Sequence, residues 1–208
     1  MHKIFIAAML LALIFLCACA PESAPSPEPA GLTETPVSAG HNPSGGVTVS
    51  FDYEKQSGSA SNQFAVWVED SAGSLVKTLY ATKFTAKGGW QNRPDSIPLW
   101  VEKSGLAGMK KSGADAIAGA TPKSGPVEYF WDLTDSRGDF AEPGEYHVIV
   151  EGSLRWKNYV LYDARVTLGG ADGTLRPEPL FIWDNLTPDA PEAGMICNVT
   201  VKAETLYD

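Results

Sequence analysis

The 208-residue chain has few of the side chains that carry most enzyme chemistry: three histidines and three cysteines. The histidines are His2, His41 and His147. A Ser–His–Asp relay would have to use His147, which reads as mid-strand, and no nucleophile-elbow motif accompanies it. No paired His or Cys ligands stand at zinc spacing. Positive charge is short as well. Sixteen Lys and Arg face 25 Asp and Glu, a formal charge of −9. With no basic run, that balance argues against a nucleic-acid partner and against electrostatic adhesion to anionic lipid. Long apolar runs are missing too. The stretch from Ile4 to Leu16 is too short to span a bilayer, and no repeat at a period of 20–50 residues points to a solenoid or propeller.

The short apolar run has another use. Lys3 precedes it, and together they have the form of a secretory signal. It ends in Leu16-Cys17-Ala18-Cys19, which resembles the bacterial lipobox: small residues before a Cys, with Leu three positions upstream. The resemblance implies removal of residues 1–18 and diacylglycerol on Cys19. Ordinary signal cleavage at Ala18 or Ala20 is the alternative. Residues 19–46 are rich in Pro, Ser and Glu and cannot bury enough surface to offset their ordering entropy, so they read as a disordered tether. Residues 47–208 read as one domain. With Cys17 removed and Cys19 acylated, only Cys197 remains. No intrachain disulfide can then form, and Cys197 reads as a small buried hydrophobe.

Strand patterns dominate the domain. Val47, Val49, Phe51 and Tyr53 alternate, as do Phe64, Val66 and Val68, with Trp67 on the other face. Asp70-Ser-Ala-Gly73 separates that run from Leu75–Tyr80. Asp135-Ser-Arg-Gly138 repeats the form between Val127/Tyr129/Trp131 and Tyr146/Val148/Val150. Both read as hairpins, with Asp opening the turn and Gly taking a left-handed conformation. Tyr159–Leu168 and Met195–Leu206 add strands, the last with Cys197, Val199, Val201 and Ala203 on one face. The expectation is an all-β, Ig-like antiparallel β-sandwich with a short helical and irregular insertion near residues 84–125. In that insertion Asp95-Ser96 reads as the cap of a short helix that Gly105 ends, and residues 106–125 read as irregular. It is either a functional excursion or a lid over an open end of the sandwich, packed by Trp90 and Trp100.

Two resemblances follow from these motifs. Trp131-Asp132, Asp135, Gly138, Gly144 and Tyr146-His-Val148 resemble the terminal hairpin of the Ig-like domain of the flagellar hook-capping protein. Phe64-Ala-Val-Trp67, Gly73, Leu75–Leu79, Gly88-Gly-Trp90, Arg93-Pro94, Leu99-Trp100, Gly119-Ala-Thr121 and the Trp131 segment stand in the order of a family of predicted periplasmic proteins of unknown function. Members of that family occur beside membrane electron-transfer components and flavin transferases, which implies an envelope role near redox machinery.

Within the insertion, Asp115-Ala-Ile-Ala118-Gly119-Ala120-Thr121 resembles the acceptor motif of periplasmic flavin transferases. Ala118 stands where that motif usually has a hydroxyl. The resemblance implies an FMN phosphoester on Thr121, with Asp115, Gly119 and Ala120 completing the motif. The alternative is a small-residue loop leading into the next strand. Asp132, Asp135, Asp139, Glu142 and Glu145 could gather a hard cation but also fit as turn caps, and no metal is expected. Trp90 and Trp156 lie beside turn or charged residues and are candidates for an exposed contact patch.

The resulting expectation is a non-catalytic, lipid-anchored envelope domain, extracytoplasmic, binding an unidentified envelope protein near redox or transport machinery. A covalent FMN carrier is the second reading and a carbohydrate-binding domain the third.

Overall fold

The computed structural model describes residues 43–56, 62–108, 111–153, 159–182 and 195–206. Ten strands lie among them: β1 (Ser44–Tyr53), β2 (Gln63–Asp70), β3 (Leu75–Thr82), β4 (Ala118–Gly119), β5 (Gly125–Trp131), β6 (Gly144–Ser153), β7 (Tyr159–Leu168), β8 (Gly173–Leu175), β9 (Leu180–Ile182) and β10 (Ile196–Leu206). They form a four-stranded sheet, β5-β1-β10-β8, and a six-stranded sheet, β4-β3-β2-β6-β7-β9. Every described pairing is antiparallel except β3 with β4. The fold is an all-β sandwich.

The period-two pattern decides which side chains fill the interior. Val47, Val49, Phe51 and Tyr53 of β1 meet Phe64, Val66 and Val68 of β2 and Val148 and Val150 of β6 in one cluster. On β5, Trp131 is fully buried while its neighbour Phe130 is 58% exposed, as alternation requires. The turn at Asp70 also has its expected form. Gly73 has φ of 77°, its N–H donates to the Asp70 carbonyl at 2.9 Å, and the Asp70 carboxylate accepts from the N–H groups of Ala72 and Ser74.

Three expectations are corrected. Residues 129–150 are not one hairpin. β5 pairs with β1 in one sheet and β6 pairs with β2 and β7 in the other, so the chain arches between sheets. Only the arch tip is hairpin-like, with Thr134 bridged to Phe140 and Gly138 at φ of 91°. Leu133, buried at φ of 59°, begins the departure from the four-stranded sheet.

The second correction concerns β10. An extra residue bulges between the pairs Ser50–Thr200 and Asp52–Cys197. Asn198 takes a left-handed conformation there, φ 55°, and its amide donates to Asp52 Oδ2 at 2.7 Å. A bulge reverses the facing of the residues beyond it. Ile196 therefore fills the core, and Cys197 is only half-buried.

The third correction concerns the insertion, which covers a face of the sandwich and not its end. It contains α1 (Lys83–Ala86), α2 (Pro98–Lys103) and α3 (Lys111–Ile117), so residues 106–125 are less irregular than their composition suggests. It lies on the outer face of the six-stranded sheet. There Ala65, Trp67, Ala81 and Ile149 meet Ala86, Ile97, Trp100, Leu106 and Ala114 in a second core, with Trp90 packed at its edge.

Neither Asp95 nor Ser96 caps α2. Pro98 is its first residue, so the cap position falls to Ile97, whose side chain accepts nothing and whose φ is 44°. The sheet supplies the cap: Glu151 of β6, fully buried, accepts from the N–H groups of Leu99 at 3.1 Å and Trp100 at 2.8 Å. Two residues on, Ser153 Oγ accepts from the Ile97 N–H at 2.6 Å and donates to the Asp95 carbonyl at 3.1 Å. Burial pushes the Glu151 carboxyl from 4.5 up to about 7, against the pull of those two donors.

Two predictions follow from the two cores. Trp131→Ala is expected to destabilise the domain by about 3–5 kcal/mol, and Phe130→Ala by about 1 kcal/mol or less, in denaturant unfolding. Because the native state holds the Glu151 proton more tightly than the unfolded chain, this group stabilises most below pH 4.5. Its contribution is lost as pH rises to about 7. The loss is on the order of 3 kcal/mol. Glu151→Gln keeps one acceptor and cannot ionise, so the difference in unfolding free energy between pH 5 and pH 8 should shrink in that variant.

Candidate functional site

Thr121 stands where the chain crosses from one sheet to the other. β4, at the edge of the six-stranded sheet, runs parallel to the end of β3, Ala118 beside Ala81 and Gly119 beside Thr82. Residues 120–124 then lead to β5, the edge of the four-stranded sheet. Both ends of the crossing are held. The Tyr80 hydroxyl donates to the Ala120 carbonyl at 2.8 Å, and Ser124 Oγ accepts from the Lys55 N–H at 3.0 Å. Between these anchors Thr121 and Lys123 are exposed and Pro122 is half-buried.

Gly119 has a steric reason to be glycine. A Cβ there would lie 2.8 Å from Tyr80 Cδ2 and closer still to Cε2. The small residues let the crossing lie flat against that ring. The ring itself is packed from behind, stacked on Phe64 at 4.8 Å and tilted against Tyr129 at 4.8 Å. Phe64 in turn contacts Tyr53 and Phe51. Burial pushes the Tyr53 hydroxyl up to about 12 and those of Tyr80 and Tyr129 higher still, so the Tyr80 hydroxyl keeps its proton and acts as a donor.

Sequence reasoning did not single out Tyr80. Strand alternation would put it on the same face as Thr78, whose hydroxyl accepts from the Trp100 indole at 3.1 Å on the insertion side. Two bulges interrupt that alternation in β3, one at Leu79 and one at Val76, because Val66 pairs with Tyr80 but Trp67 with Thr78, and Val68 with Lys77 but Glu69 with Leu75. The bulge at Leu79 turns Tyr80 inward, so Leu79 and Tyr80 both pack on the inter-sheet core. Nothing local in the sequence marks that bulge.

The other sequence candidates are dispersed. Asp115 lies in α3, and its side chain is outside the described residues, as are Cys19 and Trp156. Trp90 is half-buried against the second core, which leaves only part of its ring for an external contact. Asp132 accepts from Lys77 Nζ at 2.7 Å and from the Thr134 hydroxyl at 2.7 Å. Partial burial opposes its ionisation, but these donors prevail and hold its carboxyl below the usual range. Asp135 caps its own turn, accepting from the N–H groups of Arg137 and Asp139. His147 is paired with Asp163 at 2.9 Å on the six-stranded sheet.

At the other lateral edge the chain crosses between sheets again, from β8 to β9. A groove of about 360 Å³ opens there, lined by Tyr162, Phe181, Val199, Arg176, Glu178 and Cys197. Burial and the Asp52 carboxylate push the Cys197 thiol above the ordinary cysteine range, which leaves it a poor nucleophile.

A family model described as "Predicted periplasmic protein (DUF2271)" matches residues 46–178. That span runs from β1 through β8 and includes the insertion and the Thr121 crossing. No curated protein and no solved structure matches the chain.

Replacing Gly119 tests the packing of the crossing. Gly119→Val is expected to displace the Tyr80 ring and lower stability by about 1–3 kcal/mol, read from thermal unfolding. In a Tyr80→Ala background the additional loss from Gly119→Val is expected to be smaller than in the wild type, since the obstructing ring is gone.

Proposed function

The chain belongs to this family of predicted periplasmic proteins of unknown function, and from that premise we propose that it is a lipid-anchored, extracytoplasmic accessory domain that carries FMN esterified to Thr121. Its place is beside membrane redox machinery, which it serves as an electron carrier and not as a catalyst. The observation that carries the reading is the setting of Thr121: an exposed hydroxyl on a crossing anchored at both ends, on the same short stretch as a glycine whose Cβ would strike Tyr80.

The residues present suit such a group. A flavin is bulky, and a transferase must bring its phosphate against the acceptor hydroxyl. The small, exposed side chain of Ala120 leaves the backbone approachable beside Thr121, while Gly119 lets the crossing sit on the Tyr80 ring. FMN, once attached, supplies reversible one- and two-electron transfer. The chain's own residues supply the attachment point and a rigid support. The Tyr80–Phe64–Tyr129 packing backs the crossing, and a stiff support keeps an attached group at a defined distance from its partners.

Anchoring rests on the Leu16-Cys17-Ala18-Cys19 motif, with residues 19–46 as the tether between the acyl chain and the sandwich. The chain's net charge of −9 gives it no electrostatic hold on an anionic membrane, so the lipid on Cys19 would provide it.

One measurement addresses both modifications. The full chain, expressed in a bacterial envelope with a periplasmic flavin transferase and extracted from membranes, should show an intact mass raised by a diacylglycerol group and by one FMN. Thr121→Ala should lose the flavin increment alone, and Cys19→Ala the lipid increment together with membrane association. A wild-type mass without flavin, from cells whose transferase modifies a control substrate, would refute the carrier reading.

A further inference from the structure

We propose that Tyr80 is the positioning residue of the acceptor site, holding the Thr121 hydroxyl in a presented geometry through its bond to the Ala120 carbonyl. This inference rests on the reading of Thr121 as the flavin-bearing residue. Ala120 immediately precedes Thr121. Fixing the Ala120 carbonyl at 2.8 Å from a half-buried, proton-retaining phenol whose ring is packed on Phe64 and Tyr129 fixes the peptide plane from which Thr121 departs. Ser124, accepting from the Lys55 N–H, holds the far end, and Pro122 restricts the backbone between them. Three exposed or half-buried residues thus span two anchors, while the hydroxyl in their midst stays free to react.

The phenol is in turn held by the core. The bulge at Leu79 aims Tyr80 inward, and Phe64 and Tyr129 pack on its ring. Transfer joins the Thr121 oxygen to the FMN phosphorus of a flavin dinucleotide. The phosphoanhydride bond breaks, AMP leaves, and the hydroxyl proton passes to a base on the transferase. A bimolecular step of this kind gains from a pre-aligned acceptor, because less freedom is lost on reaching the reactive geometry.

The test compares initial rates of mass gain for the full chain in detergent with purified transferase and FAD. Tyr80→Phe keeps the ring packing and deletes only the donor. Its loading rate should fall about five- to ten-fold, the loss expected of one hydrogen bond, with its melting temperature little changed. Tyr129→Phe removes a hydroxyl from the same cluster without touching Ala120 and should load at the wild-type rate. Ser124→Ala, altered at the exposed end, should also load more slowly and serves if Tyr80→Phe folds poorly. In the unmodified protein, the backbone order parameter at Thr121 should fall in Tyr80→Phe and not in Tyr129→Phe, a readout independent of the flavin. Equal loading of Tyr80→Phe and wild type would overturn the positioning role while leaving the carrier reading intact. No loading of wild type by an active transferase would overturn both.

Discussion

The structure depends on a buried carboxyl group at the interface between the six-stranded sheet and its insertion. Glu151 stands on the outer face of β6, and it meets the first turn of α2. A helix this short cannot persist alone, and its apolar cap residue offers no acceptor for its first N–H groups. The sheet therefore completes the helix, and the helix, through Ile97 and Trp100, covers the sheet. Glu69 plays a related part at the other end of the same face. It accepts from the Trp67 indole at 2.8 Å and pairs with Lys103, the last residue of α2, at 3.0 Å. Polar side chains that alternation would assign to solvent are thereby buried with partners, which is the condition for burying them at all.

With its second face covered, the six-stranded sheet becomes the centre of a three-layer arrangement: four-stranded sheet, six-stranded sheet, insertion. Trp67 and Trp131 illustrate the two interfaces. One packs outward beneath the insertion and the other inward between the sheets. The insertion then returns to the sheet edge as β4 and delivers the chain to β5. The Thr121 crossing is thus a product of both cores. Its path is set by how α3 ends, and its rigidity by the aromatic packing around Tyr80.

This design suits a domain outside the cytoplasm that holds no disulfide among its described residues. Among the described residues Cys197 is unpaired, and apolar packing supplies the stability. The exposed sheet edges are managed locally. The arch between β5 and β6 sets the Ser136 N–H on the Val76 carbonyl at 3.0 Å, blocking part of the β3 edge, and β4 covers the end of the same strand. The exposed Thr121 lies beside that protected edge, open to solvent while the strand is not open to another chain.

Much of the sandwich was legible in the sequence because strand burial repeats every two residues. The alternation of Val47, Val49, Phe51 and Tyr53, the opposite facing of Trp67, and the twin Asp-x-x-Gly turns all rest on local rules, and the Gly-Ala-Thr motif is contiguous. What only the tertiary structure decided lies where long-range contacts overrule those rules. Residues 129–150 read as a hairpin because two strands flank a turn, yet each strand pairs better with a distant partner, β1 or β2. Ile196 and Cys197 exchange places through one left-handed Asn198, and Tyr80 reaches Ala120 through a bulge at Leu79. The cap of α2 lies some fifty residues away on β6. Period and propensity are properties of neighbours along the chain. Sheet partners, bulges and borrowed caps are settled by which distant groups must be satisfied together once water is excluded.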